Sequence, residues 1–115
     1  MKRRDRERID DVEVALIAIG SHLARGGLDD GLVFDAIRIR FIEIGEAVKG
    51  IDGALLNVAP EIPWQEIAGM RDRPTHHYFD TSHAILQATI DHDIPLLWDA
   101  VGLLREALAG DRPKG

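Results

Sequence analysis

Arg71, His76 and Tyr78 fall within one stretch of eight residues, Arg71-Asp72-Arg73-Pro74-Thr75-His76-His77-Tyr78. Their types suggest one chemistry. Arg presents a planar fork that holds phosphate oxygens in bidentate fashion. His moves protons near neutral pH. Tyr offers a phenol for hydrogen bonding or modification. RNA cleavage without a metal needs such groups. The ribose 2′-OH attacks its own phosphate, so the enzyme must accept a proton, donate one and stabilise charge on the phosphorane oxygens. A positioned acid–base group contributes about 10²–10⁴ in rate. On residue types alone the same stretch also describes a capped, hydrogen-bonded surface corner, and a short motif by itself is only a hypothesis.

Position matters as much as type. Residues five apart on a regular helix diverge, so Arg71 and His76 need a break between them. Pro74 supplies one, because it disfavours helical geometry at Arg73. The stretch is therefore expected to begin at a helix end and cross a turn. Arg73 and His77 sit beside the nominal pair: Arg73 is an alternative phosphate ligand, and His77 a second group for proton transfer.

The surrounding elements are helical by pattern. Ile9, Val12, Leu16, Ile19 and Leu23 recur at three- and four-residue steps, predicting a first helix from about Asp5 to Ala24. Gly26-Gly27 ends it. A second helix is expected from Asp29 or Asp30 to about Lys49, with Val33, Ile37, Phe41, Ile44 and Val48 as its stripe. Leu32, Ile39 and Ile42 add apolar groups off that stripe. A helix apolar on more than one face is central in a bundle or buried in a partner, so a homodimer interface is expected here.

Gly50 to Pro63 reads as a connecting segment. Pro63 suits the first turn of a short helix, Trp64 to about Met70. Thr81 or Ser82 is expected to cap a helix of roughly His83 to His92. Asp93 then caps a last helix with Pro95 in its first turn, in which Leu96, Leu97, Val101, Leu104 and Leu108 face the core. The expected fold is all-α, a helical bundle of four longer helices and one short helix. It forms one domain over residues 1–110, with a flexible tail at 111–115.

Composition narrows the classes. The chain has 115 residues, 45% hydrophobic, enough for one domain with its own core. It has no Cys, which excludes disulfides and thiolate metal sites and fits a cytoplasmic location. No apolar run approaches the roughly 20 residues that cross a bilayer, so no membrane partner is expected. The formal net charge of −6 argues against coating nucleic acid by charge alone. Lys2, Arg3, Arg4, Arg6 and Arg8 interleave with acids and read as a solvated helix start. His76, His77, His83 and His92, with Asp80 and Asp91, lack metal-ligand spacing. No metal or other cofactor is expected.

Arg71-x4-His76-x-Tyr78 resembles the Arg-x4-His-x-Tyr signature of the HEPN superfamily, in its HepT-like toxin branch. Ile44-Gly45-Glu46-Ala47, Trp64-Gln65-Glu66-Ile67-Ala68-Gly69-Met70-Arg71-Asp72, Tyr78-Phe79 and Ile94-Pro95-Leu96 are similar to that branch, in its order and at about its spacing. The resemblance implies a HEPN-like, dimeric, all-helical endoribonuclease toxin of a type VII toxin–antitoxin pair, with Arg71 and His76 as the catalytic pair in a cleft at the dimer interface. Its RNA substrate would be tRNA or mRNA. Its partner would be a minimal nucleotidyltransferase (MNT) antitoxin, which transfers AMP to the motif Tyr, here Tyr78. The position after the Arg, often Asn in the family, is Asp72 here. It would orient His76 or Arg71, and Glu46 would orient Arg71 from the second helix. Glu46 as an ordinary helix-face ion pair is the alternative. A second class of function also stays open: a non-catalytic dimeric helical module that binds a nucleotidyltransferase partner or a nucleotide. Trp64 and Trp98 are read as core rather than as stacking surfaces, and Arg38 and Arg40 as cleft-lining or solvent-facing.

Overall fold

The computed structural model describes residues 3–69 and 79–110, and side chains over residues 4–69 and 83–110. All regular structure among them is helical: α1 (Arg3–Leu23), α2 (Gly31–Lys49), α3 (Gly53–Leu56), α4 (Trp64–Gly69) and α5 (Phe79–Gly110). None of these helices is long and apolar enough to cross a membrane. The all-α expectation holds.

α1 and α2 form an antiparallel hairpin, the most extensive helix pair among the described residues. The expected stripe of α1 buries Ile9, Val12, Leu16 and Ile19, and Leu23 packs at the margin of the core. Asp30 caps α2. Its φ of −82° and ψ of 117° are extended, and its carboxylate accepts from the backbone N–H of Leu32 at 2.9 Å and Val33 at 3.4 Å. These are donors that a helix start otherwise leaves without partners. Val33, Ile37, Phe41, Ile44 and Val48 are buried as expected, joined by Phe34, Gly45 and Ala47.

At the other end of the hairpin, Asp5 is 2% exposed, and its Oδ1 accepts from the Asp52 N–H at 3.1 Å. Arg8 covers Gly50, where an added Cβ would lie 2.7 Å from its Nε. The glycine is thus what lets the guanidinium stem cross the chain as it leaves α2.

The connecting segment holds one element the sequence pattern did not announce. Asp52 caps the four-residue α3 by accepting from the Ala54 N–H at 3.0 Å. Trp64 then ties the segment down. Its indole Nε1–H is shared between the carbonyls of Leu56 and Ala59, each at 3.0 Å. Trp64 packs against the core as expected.

The last helix corrects two expectations. Residues 79–110 form one helix of 32 residues with Pro95 inside it. Thr81 and Ser82 therefore lie within the helix instead of capping it, and Asp93 does not restart the chain. A proline in a helix interior removes one hydrogen bond and costs about 3 kcal/mol. The apolar face crosses it without a break: Leu86, Leu97, Val101, Leu104 and Leu108 are buried and Ile90 and Ile94 pack against them. Each buried aliphatic side chain contributes about 1.5–3 kcal/mol, so shared burial outweighs the local penalty. The described residues thus form three long helices and two short ones where four longer and one short were expected. Leu96 and Trp98, both expected in the core, are exposed, Trp98 to 40%.

α5 runs antiparallel to α1. Arg105 reaches Asp10 at 2.9 Å and also pairs with Glu13. Burial alone would lower the Arg105 pKa, but the hydrogen bonds and charges of the two carboxylates hold it above its ordinary value. The start of α5 meets the start of α2, where the His83 imidazole stacks on the Phe34 ring with centroids 4.0 Å apart.

Candidate functional site

The residues singled out as catalytic or modified, Arg71, His76 and Tyr78, lie outside the described residues, as do Asp72, Arg73 and His77. The helices that bracket them are described. α4 ends at Gly69 and α5 begins at Phe79. α4 packs against α2 and buries Ile67. The start of α5 rests on the start of α2 through the His83–Phe34 stack. The nine residues from 70 to 78 thus join a helix packed on α2 to one that packs along α1 and touches α2 through this stack.

Three features of the sequence build these docking points. Pro63 precedes α4 and its carbonyl accepts from the Ile67 N–H at 3.0 Å. The shared indole hydrogen bond of Trp64 fixes the first residue of α4. Phe34 lies one residue beyond Val33 of the expected stripe, and its burial widens the core face of α2 toward α5.

Around Phe34 the structure assembles groups that were read separately in the sequence. The His83 ring stacks on it at an interplanar angle of 9°. The Arg38 guanidinium sits over the same ring with Cζ 5.6 Å from its centroid. Arg38 also pairs with Asp35 at 3.5 Å. Arg40 pairs with Glu43 at 2.7 Å. Arg38 is therefore packed on an aromatic ring, not simply solvent-facing. His83, which lacks metal-ligand spacing in the sequence, is half of an aromatic stack. The signal for both was Phe34 itself: an aromatic one helical turn before Arg38, at the edge of the apolar stripe.

Glu46 stands on the exposed face of α2. It is twelve residues beyond Phe34 in the helix, or about 18 Å along its axis. Its neighbour Gly45 is buried. Among the described residues no group of three or more His, Asp or Glu side chains is gathered as a metal site.

Comparison with known proteins bears on what this arrangement serves. Residues 7–102 match the family described as ribonuclease HepT-like. The match spans α1 through most of α5, and with them the whole Arg71–Tyr78 stretch. The chain belongs to the HepT-like ribonuclease family. Similarity to individual HepT-like proteins is of the same kind. The chain is 36% identical over 101 residues to "Probable ribonuclease HepT" of Thermococcus cleftensis, covering 84% of this chain and 92% of that one. It is 43% identical over 60 residues to a protein of Caldanaerobacter subterraneus subsp. tengcongensis named as a candidate RNase, covering 51% of this chain and 54% of that one. A candidate RNase of Methanocaldococcus jannaschii is 38% identical over 58 residues, about half of each chain. No solved structure matches the chain significantly. Membership places this HepT-like protein among the endoribonucleases and agrees with the all-helical fold described above.

Proposed function

We propose that the chain is a metal-independent endoribonuclease toxin that cleaves tRNA or mRNA through Arg71 and His76. The observation that carries this reading is the Arg71-x4-His76-x-Tyr78 stretch, lying inside the residues matched by the ribonuclease family. The ribose 2′-OH attacks the adjacent phosphorus as His76 acts in proton transfer. Arg71 holds the non-bridging oxygens and stabilises the charge that develops on them. The products are a 2′,3′-cyclic phosphate and a 5′-hydroxyl. Asp72 and Glu46 act as orienting carboxylates for this pair, much as carboxylates orient catalytic histidines elsewhere.

The active species in this reading is a homodimer, with its cleft at the dimer interface and its domain over residues 1–110, working in the cytoplasm. Support for dimerisation comes from α2. Leu32 is 83% exposed and Ile39 is 50% exposed, and they lie seven residues apart on one helix face. Such apolar surface is more stable when covered. Control comes from an MNT-type nucleotidyltransferase antitoxin that transfers AMP to Tyr78. The added nucleotide places anionic phosphate where the RNA phosphate would bind, so it blocks the site by both charge and bulk.

The test is incubation of unmodified protein with total RNA in EDTA, beside His76→Ala. Intact mass first verifies that Tyr78 carries no AMP. Cleavage by the wild type alone, with 2′,3′-cyclic phosphate ends, is the expected result. Absence of cleavage by folded, dimeric, unmodified protein would refute the nuclease. The remaining reading would then be the non-catalytic dimeric module that binds the nucleotidyltransferase or a nucleotide.

A further inference from the structure

We propose that His83, backed by Phe34, on whose ring Arg38 also packs, is a nucleobase-stacking subsite that holds the RNA strand near the cleavage motif. This rests on the ribonuclease reading and adds to it a specific point of contact with single-stranded RNA.

Three observations carry the inference. The first is the stack itself. The His83 and Phe34 rings are nearly parallel, at 9°, with centroids 4.0 Å apart. Phe34 is buried, while His83 is exposed. One ring face is therefore supported by the core, and the side chain still presents surface to solvent. An aromatic face held rigid from behind is what an unpaired base stacks on, and such stacking tolerates any base because every base has a π-face.

The second observation is charge on the supporting ring. The Arg38 guanidinium lies 5.6 Å from the Phe34 centroid. It is held there by the ring and by Asp35 at 3.5 Å. Strand binding combines an aromatic platform with cations that track the backbone. An Arg packed on the ring that supports His83 adds a cation to the same assembly. The chain as a whole is acidic, with a formal net charge of −6, so RNA must be held by local contacts instead of a general positive field.

The third observation is location. His83 lies four residues into α5 from Phe79, about 6 Å along the axis. Phe79 directly follows Tyr78 in the chain. The platform thus stands within a nucleotide or two of Phe79, where the described chain resumes after that stretch. A base held there would set which phosphate faces that stretch, so the subsite would select the cleavage position without taking part in the chemistry.

The measurement is RNA binding in a His76→Ala background, which keeps the strand intact. The probe is a short, mixed-sequence, single-stranded RNA carrying fluorescein for anisotropy, and a second copy in which one adenine is 2-aminopurine. His83→Ala and His83→Leu should each weaken binding roughly tenfold, since removing one stacking side chain commonly has that effect. His83→Phe should bind as the parent does. Quenching of 2-aminopurine, which reports stacking, should persist with Phe and vanish with Ala and Leu. Arg38→Gln should weaken binding and reduce the salt slope by about one counterion.

Equal binding and equal quenching for His83→Leu and the parent would overturn the subsite. So would a loss of affinity shared by all three His83 variants in step with their melting temperatures, because His83 would then only dock α5. No RNA binding by the folded parent would overturn it too. The nuclease reading fails separately: if wild type cuts no RNA but the aromatic dependence of binding is seen, the subsite stands and the nuclease falls.

Discussion

The backbone N–H of Asp52 donates to Oδ1 of Asp5 at 3.1 Å, joining residues 47 apart in the sequence. The bond fastens the first turn of α1 to the chain as it leaves α2. Asp5→Ala should strand a partly buried N–H, at a cost of about 1–3 kcal/mol. Urea unfolding should show the lowered midpoint with an unchanged slope. Asp5→Asn keeps an acceptor and should lose less. Equal stability of Asp5→Ala and the wild type would remove this strut from the account.

Trp64→Phe should cost about 1 kcal/mol, since it keeps most of the ring packing but deletes the donor shared by Leu56 and Ala59. Hydrogen exchange should quicken in residues 53–59 and in α4 before it does in α1. Uniform exchange across the molecule would mean that the indole N–H does not hold the connector.

Pro95→Ala should stabilise the protein by roughly 2 kcal/mol. The substitution restores a helical N–H opposite the Asp91 carbonyl, and part of that gain is offset because alanine frees the unfolded chain. Thermal unfolding checks the sign. A lower melting temperature would show that the ring of Pro95 contributes packing that outweighs its missing donor.

Ile39→Glu should leave the fold of a single chain intact, because half of that side chain is already in water. It should convert the proposed dimer to monomer, read by sedimentation, and abolish RNA cleavage with it. A variant that remains dimeric would move the interface off this face of α2.

Tyr78→Phe should remain able to cut RNA while escaping neutralisation, because no phenol is left to accept AMP. Co-expression with the proposed nucleotidyltransferase antitoxin should then fail to restore growth. Rescue as complete as for wild type would mean that the antitoxin acts by another route.

Much of the bundle was legible because it depends on periodicity. The stripes of α1 and α2, and the Asp30 cap, follow from apolar spacing and one side-chain acceptor. The division of α5 was not legible. Pro95 and the Asp93 before it form a strong local stop, and only burial of a continuous face explains why the helix passes through. Trp98 misled for a related reason: aromatic size favours burial, but its position sets it off the Leu97–Val101–Leu104 face. At the site, the family was legible from the Arg71-x4-His76-x-Tyr78 stretch and the segments around it. The His83–Phe34–Arg38 assembly was not, because its members come from two helices separated by the whole connector.

The hairpin of α1 and α2 has a consequence for timing. Its contacts form between neighbouring helices, and the Asp5–Asp52 bond closes it using only the first 52 residues. Structure rich in local contacts forms quickly, and chains fold from the N-terminus as they are made, at about 5–20 residues per second. A nascent chain would hold this scaffold before Arg71, His76 and Tyr78 have left the ribosome. The last portion of the molecule would then dock onto a finished surface, so that cleavage competence would arrive only at the close of translation. Pulse-labelled exchange on stalled nascent chains should find α1 and α2 protected together while α5 is still inside the ribosome.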